Sequence, residues 1–120
     1  LIIEGDASSR CGISMKGINI VVKGSVGHMS AFMAQKGNLV IMGDADADLG
    51  DSIYEAKIFV KGKVKSLGSD CVEKKMDQKN IDELTKLFKE LGIKEDAKKF
   101  RRYGSSRNLY NFKIDNVGAY

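Results

Sequence analysis

The sequence has no proline, no tryptophan, one histidine and two cysteines. Cys11 and Cys71 are too few and too isolated for a disulfide framework or a zinc site, which indicates a reducing, cytoplasmic location. No apolar run approaches the length that spans a bilayer, so the sequence argues against a membrane protein. Proline is absent although there are 13 glycines, which is typical of strands that need every backbone N–H for hydrogen bonding.

A length of 120 residues predicts one globular unit. The chain opens at Leu1 without the features of a signal peptide, from which we expect a piece of a longer polypeptide. Acidic and basic residues balance within 1–72, so the net charge of +4 lies in 73–120. Most glycines lie before Cys71. The composition therefore predicts a repeat region over 1–72 and a separate, basic region over 73–120 within the same unit.

The first region is built from a repeated segment. Four short β-branched segments each end in a glycine, and these glycines are separated by three intervals of 19 residues: Gly5, Gly24, Gly43 and Gly62. A small residue follows seven positions later in each repeat: Gly12, Ala31, Gly50 and Ser69. A fixed period near 20 residues is typical of a solenoid.

The repeated segment predicts a strand that ends at a sharp bend. The glycine would allow the backbone either to adopt a positive φ or to approach the neighbouring turn closely. One strand, a bend and a second short strand in 19 residues predict a mainly β fold, a parallel β-helix of about four coils. Two rows of side chains should then stack inside it: Ile3, Val22, Ile41 and Val60, with Leu1, Ile20, Leu39 and Ile58 alongside.

Four sequence segments resemble those of a known family: 12–17 (GISMKG), 22–29 (VKGSVGHM), 43–45 (GDA) and 49–56 (LGDSIYEA). They resemble the GXGXG domain, the right-handed β-helix of the glutamate synthase large subunit. The similarity is greater to its stand-alone form, the third subunit of glutamate-synthase-like complexes and of methylglutamate synthase. It covers residues 1–72, and the segment 103–112 is similar to the tail of the stand-alone subunits.

The resemblance implies a non-catalytic assembly domain in glutamate biosynthesis and nitrogen assimilation. Its partners would be a glutamine amidotransferase subunit and a synthase barrel that carries FMN and an Fe–S cluster, and this chain would brace the two. It would bind no cofactor itself. The alternative is a component similar to the β-helix subunit of formylmethanofuran dehydrogenase, in one-carbon redox chemistry. A third interpretation is a structural scaffold without a metabolic partner.

The second region predicts an α-helical cap and an arm. Asn80 is a suitable N-cap with Glu83 three residues later, apolar residues follow at helical spacing, and Gly92 supplies the stop. A second short helix is expected from about Lys94 to Tyr103. Because the end of a solenoid must be covered, these helices are expected to form the cap.

The basic arm follows this cap. Arginine beside tyrosine could bind the phosphates and bases of RNA, but the sequence has no RNA-recognition module. The pattern therefore favours an arm that faces a partner protein. The candidate partner contacts share large apolar, aromatic or cationic side chains: Arg107, Leu109, Tyr110 and Phe112, with His28 and Met29 of the repeat region.

Candidate catalytic chemistry is sparse. His28 has no second imidazole or cysteine near it in sequence, and Cys11 beside Arg10 has no assigned base. Asp44, Asp46, Asp48 and Glu55 have the spacing of a calcium loop, but leucine replaces its glycine and strands are expected around it. The sequence therefore predicts no catalytic, cofactor-binding or metal-binding residue.

The strand at 1–3 is expected to have an uncovered edge. Such an edge predicts pairing with more of the chain, with a second copy through the N-terminal coil, or with a partner subunit.

Overall fold

The computed structural model describes residues 2–7, 11–12, 16–31 and 33–106. The elements within these residues are six strands, one α-helix and a short 3-10 turn: β1 (Ile2–Ile3), β2 (Lys16–Val22), β3 (Lys36–Ile41), β4 (Lys57–Val60), β5 (Cys71–Lys74), α1 (Gln78–Leu91), the turn Ala97–Lys99 and β6 (Arg101–Ser105). No described helix is both long and apolar enough to cross a membrane.

The six strands form one mixed sheet in the order β1-β2-β3-β4-β6-β5. The first four are parallel, and Ile2, Val21, Val40 and Phe59 lie side by side in register. β6 runs antiparallel between β4 and β5. The strands therefore fall at the predicted positions in each 19-residue repeat, and β6 covers the edge of β4.

One face of the parallel strands forms the inner core. Its fully buried members include the alternate residues Val22, Ile41 and Val60, with Leu39 and Ile58 two positions earlier. These residues stack as the sequence predicted because side chains that alternate along each strand share one face. Burial of such a row stabilises the fold by about 1.5–3 kcal/mol for each side chain.

The opposite face of the same strands is also buried. Val21, Val40 and Phe59 pack there with Leu84 and Phe88 of α1. The ring of Phe100 joins this outer core, with its centroid 5.4 Å from that of Phe88. Burial on both faces explains why the strands read as continuous apolar runs. Helix α1 thus lies on the outer face of the sheet, and the edge of the last parallel strand is paired by β6.

A second parallel ladder follows the bends. Single bridges join Ala7 to Val26, Val26 to Ala45 and Ala45 to Val64, so the 19-residue offset persists beyond the strands. The offset then falls to 18 residues, as in the bond from Ser69 N to Asp51 Oδ1.

The last repeat is therefore one residue shorter than the spacing of the glycines predicts. Gly68, whose N–H donates to the carbonyl of Leu49 at 2.9 Å, takes the position for which the sequence predicted Ser69. The repeats before it keep their small residue at the predicted position, and Gly12, Ala31 and Gly50 share a left-handed backbone with φ between 61° and 74°.

Helix α1 begins earlier than predicted. Its N-cap is Asp77, whose carboxylate accepts from the N–H of Asn80, so the assignment of Asn80 as N-cap is wrong. Asn80 lies in the first turn and is buried. The predicted stop at Gly92 is confirmed, with φ 69° and its N–H bonded to the carbonyls of Phe88 and Lys89.

The second predicted helix is also wrong. Only Ala97–Lys99 forms a 3-10 turn, and Arg101–Ser105 is strand β6. Ala97 and Phe100 are buried as the helical pattern required, but Tyr103 pairs with Ile58 of β4 and packs on the inner core. The free edge of β4 explains the difference, because its unpaired N–H and carbonyl groups are satisfied by a strand.

Candidate functional site

The corner glycines, Gly5, Gly24, Gly43 and Gly62, lie at the bend after each parallel strand. The N–H of each later one donates to the carbonyl of the one before it, at 2.8–3.0 Å. A Cβ on Gly43 would lie 2.7 Å from the carbonyl carbon of Gly24, and a Cβ on Gly62 would lie equally close to that of Gly43. None of the four has a positive φ. Close approach, and not backbone conformation, therefore requires glycine in this row.

The residue after each corner glycine continues the stacking through its side chain. Asp6 Oδ1 accepts from Ser25 N at 2.7 Å, and Ser25 Oγ accepts from Asp44 N at 2.8 Å. Asp44 Oδ1 in turn accepts from Lys63 N at 2.7 Å. This row, which we call the corner cap ladder, satisfies backbone donors that the bend removes from the strand ladder.

The carboxylates of the acidic loop, which contains Asp44, Asp46 and Asp48, do not converge on one point. Asp44 belongs to the corner cap ladder, Asp46 accepts from the N–H of Ala47 and lies 3.8 Å from Lys65 Nζ, and Asp48 faces His28. Within the part of the chain that the structure describes, no three Asp, Glu, His or Cys side chains are arranged to hold a metal ion. Asp44 instead serves the 19-residue stacking, and Asp46 and Asp48 each have a separate partner.

His28 and Met29 form a surface corner, which we call the His28 corner. The imidazole is 48 % exposed, and its Nδ1 lies 3.7 Å from Asp48 Oδ2. Met29 is half-buried with φ 56°, and its N–H donates to the carbonyl of Ala47 at 2.9 Å. The left-handed backbone at Met29 and its hydrogen bond to Ala47 hold this corner against the next repeat, beside the exposed imidazole of His28.

The buried side chain beside this corner is fully engaged. Ser30 Oγ donates to the carbonyl of Gly27 at 2.9 Å and accepts from the N–H of Cys11 at 3.3 Å. Because its hydroxyl both donates and accepts inside the fold, Ser30 is a structural residue and not a candidate nucleophile.

Neither thiol is activated. Burial raises the pKa of the half-buried Cys11. Burial also raises the pKa of Cys71 to about 12, against a smaller lowering by the Lys74 charge. A thiolate is the reactive form of cysteine, so both side chains act as packing residues at neutral pH.

Sequence reasoning missed a polar cluster between β4 and α1. Lys57 Nζ donates to Glu83 Oε1 at 2.8 Å and to Asn80 Oδ1 at 3.1 Å. The N–H and the side-chain amide of Asn80 hold the pKa of Asp77 below its usual value, and the charges of Arg102 and Lys57 act in the same direction. The spacing of Asp77, Asn80 and Glu83 along one helical face was the signal in the sequence that could have identified this cluster.

An open cleft of about 400 Å³ lies beside this cluster, at the start of the parallel strands. Its lining combines amide, lysine and glutamate side chains with glycine backbone: Gly17, Asn19, Lys36, Gly37, Asn38, Glu55, Lys57 and Glu83. Asn38 Nδ2 donates to Asn19 Oδ1 at 2.9 Å across neighbouring strands. Opposite charges balance one another in this lining, which suits polar contact with a partner surface.

The remaining predicted partner contacts, Arg107, Leu109, Tyr110 and Phe112, lie outside the described residues. The described chain leads up to them in a defined way, because Ser106 N donates to the carbonyl of Asp70 at 2.8 Å. The start of the arm is therefore fixed beside the last repeat.

Comparison with known proteins finds one informative relative. The chain is 59 % identical over 96 residues to Protein GlxC of Rhizobium meliloti (strain 1021). The match covers 79 % of this chain and 42 % of that protein, so the chain spans less than half the length of this relative. No family model matches the chain. No solved structure matches it either.

Proposed function

We propose that this chain is a non-catalytic, right-handed parallel β-helix domain of a cytoplasmic, glutamate-synthase-like complex. In this proposal it braces a glutamine amidotransferase subunit against an FMN-containing synthase barrel. The phrases that resemble the GXGXG domain motivate the family, and the high identity to Protein GlxC supports common descent with a protein that extends beyond these repeats.

The observation that carries a structural role is the use of the polar side chains. The corner cap ladder uses Asp6, Ser25 and Asp44 to hold one repeat to the next. The buried hydroxyl of Ser30 and the two protonated thiols are likewise committed to packing. These described side chains therefore serve the packing and stacking of the fold.

The cofactors of such a complex do not fit this chain. A ligand set of four thiolates is typical of an Fe–S cluster, whereas the chain has two cysteines, both with a raised thiol pKa. The described clefts of comparable volume are open to solvent and lack the enclosing walls that bury a flavin ring. We therefore assign FMN and the cluster to partner subunits.

The His28 corner is the partner contact that the geometry favours most. His28 is exposed and Met29 is half-buried, and an imidazole and a thioether are side chains that can form a small anchoring point. Leu109, Tyr110 and Phe112 of the arm remain predicted contacts, since interfaces are enriched in aromatic residues.

The test is co-expression with a synthase barrel subunit and a glutamine amidotransferase subunit, followed by affinity capture on this chain. Wild type should retain both subunits, while His28→Ala with Met29→Ala should reduce capture of the barrel by about tenfold. Lys89→Ala, at an exposed position on the last turn of α1, is the matched control and should leave capture unchanged.

The arm needs its own variant. A deletion that begins at Arg107 leaves β6 intact, whereas one that begins at Gly104 would remove part of that strand. Loss of capture on deletion of 107–120 with an unchanged melting temperature supports contact through the arm. Glutaminase or glutamate-forming activity of the isolated chain would contradict the non-catalytic assignment, and capture of a molybdopterin subunit would favour the formylmethanofuran dehydrogenase alternative.

A further inference from the structure

Gly104 lies inside strand β6 and is buried. Glycine weakens a strand interior because it has no side chain to pack and loses much conformational freedom on folding. The φ of Gly104 is not positive, and a Cβ there would lie 3.5 Å from Lys74 Cε and 3.9 Å from the carbonyl oxygen of Ala56, which are ordinary contact distances. Within the part of the chain that the structure describes, neither backbone conformation nor lack of space explains this glycine.

The missing side chain leaves a hollow on the outer face of the sheet, which we call the Gly104 hollow. Val72 of β5 pairs with Gly104, and the pairing of Ile58 with Tyr103 places Lys57 of β4 on the other side of it. Its volume is about 50 Å³. This exceeds the roughly 30 Å³ that a water molecule occupies in the liquid, and it is far smaller than the pocket of a whole substrate. The hollow therefore suits one small functional group.

The lining of the hollow is mainly cationic, because its charged side chains are those of Lys57, Lys74, Arg102 and Glu55. The stem of Lys74 passes over Gly104, and no described carboxylate lies within 4 Å of its ammonium group. Arg102 donates from Nε and Nη2 to the carbonyl of Lys75 at 3.0 and 2.8 Å, which is a neutral acceptor. Lys74 and Arg102 thus bring two cations to the hollow without a carboxylate bound to either.

The acidic groups near the hollow leave these two cations available. Glu83 pairs with Lys57 at 2.8 Å, so Lys57 contributes less charge. Asp77 is exposed and serves as the N-cap of α1, although the charge of Arg102 acts on its carboxylate. Glu55 lines the hollow and forms no ion pair with any described cation. A gap therefore separates the Glu55 carboxylate from the cations that face it.

We propose that the Gly104 hollow binds one carboxylate group, which lies above Gly104 and accepts hydrogen bonds from Lys74 and Arg102. Glycine inside a strand often marks a place where a ligand approaches the backbone closely, and hydrogen bonds between charged groups are strong. The small volume favours a carboxylate over the bulkier phosphate group. A small acid in solution and an Asp or Glu side chain of a partner polypeptide present the same chemistry. The site itself does not depend on the partners proposed above.

The test is a titration of the full chain, labelled with ¹⁵N, with sodium acetate at constant ionic strength. The amide resonance of Gly104 should shift and saturate, with a dissociation constant in the millimolar range because acetate makes few contacts. Gly104→Ala fills the hollow and should weaken acetate binding at least about tenfold, as should Lys74→Met, which retains the stem and removes the charge. Lys79→Met, at an exposed position on α1, is the matched control and should bind acetate as wild type does.

Melting temperature separates loss of the site from loss of the fold. Gly104→Ala should melt at the wild-type temperature or above it, because the added Cβ makes only ordinary contacts. Unchanged acetate binding in both Gly104→Ala and Lys74→Met, or no saturable shift at Gly104 in wild type, would overturn the proposal. Tighter binding of inorganic phosphate than of acetate would contradict the assignment of a carboxylate.

The capture assay described above then identifies the source of the carboxylate. If Gly104→Ala also loses capture of the synthase barrel, a side chain of that partner supplies the group. Unchanged capture, together with acetate binding by wild type, assigns the site to a small free acid.

Discussion

The carboxylate of Asp44 accepts a 2.7 Å hydrogen bond from the backbone N–H of Lys63, which lies 19 residues later. Ser25 makes the equivalent bond to Asp44, and Asp6 makes it to Ser25. Short oxygen-bearing side chains are thus selected at this position because each one satisfies a donor in the following repeat. Asp44 is therefore explained by stacking, whereas Asp46 and Asp48 have partners outside the corner cap ladder.

Removal of one side chain from the corner cap ladder should lower the stability of the fold. Asp44→Ala leaves the N–H of Lys63 without its acceptor, and we expect the free energy of unfolding in urea to fall by about 1 kcal/mol. Asp44→Asn retains an amide oxygen at the same place and is the matched control. A loss of the same size in both variants would show that the charge of Asp44, and not its acceptor, matters.

The smallest side chain is enough to test the corner glycines. Gly43→Ala places a Cβ against the backbone of Gly24, so we expect a loss of about 2–4 kcal/mol of unfolding free energy. Gly5→Ala in residues 1–120 has open space and should change stability by less than about 0.5 kcal/mol. Equal effects at the two positions would argue that the bend itself, and not close approach, requires glycine.

Acid should weaken the start of α1. The pKa of Asp77 is lowered in the folded chain, chiefly by the N–H of Asn80, so its contribution to stability is present above the unfolded pKa near 3.8. That contribution is lost as the pH falls through the lower, folded pKa. Between about pH 5 and pH 2, urea unfolding of Asp77→Asn should lose less stability than that of wild type, because asparagine caps the helix without titrating.

The Cys71 thiol should be protected from alkylation. Because burial raises its pKa to about 12, little thiolate forms at pH 8 in the folded chain. In a Cys11→Ser background, iodoacetamide should label Cys71 at least about a hundredfold more slowly in buffer than in urea. Native labelling within tenfold of the unfolded rate would mean that the β5 edge opens readily.

The sequence was most informative where the structure is periodic. The corner glycines identified the parallel strands, and alternation along each strand identified the inner row of Val22, Ile41 and Val60. These features depend on local residues that recur at a fixed spacing, so one repeat confirms the interpretation of the next.

Features that depend on residues distant in the chain could not be predicted from the sequence. A helix was predicted from about Lys94 to Tyr103, but its last residues belong to strand β6, which pairs with the edge of β4 more than 40 residues earlier in the chain. The shortening near Ser66 changes no strand, and its signal in the sequence is the 18-residue spacing from Gly50 to Gly68, which is easily overlooked beside the regular spacing of the corner glycines. Asp77 and Asn80 are both suitable N-caps by residue type. Asn80 lies inside the helix, where its side chain accepts a hydrogen bond from Lys57.

Helix α1 has a finite apolar face, and that face limits how far the outer core can extend. The outer core takes one residue from each parallel strand, from Ile2 to Phe59, beneath the helix and the turn that follows it. At the β1 edge Ile2 is only half-buried, whereas Val21, Val40 and Phe59 are buried under this cover. A polar substitution should therefore be tolerated better at Ile2 than at Val40, where the polar group would be removed from water.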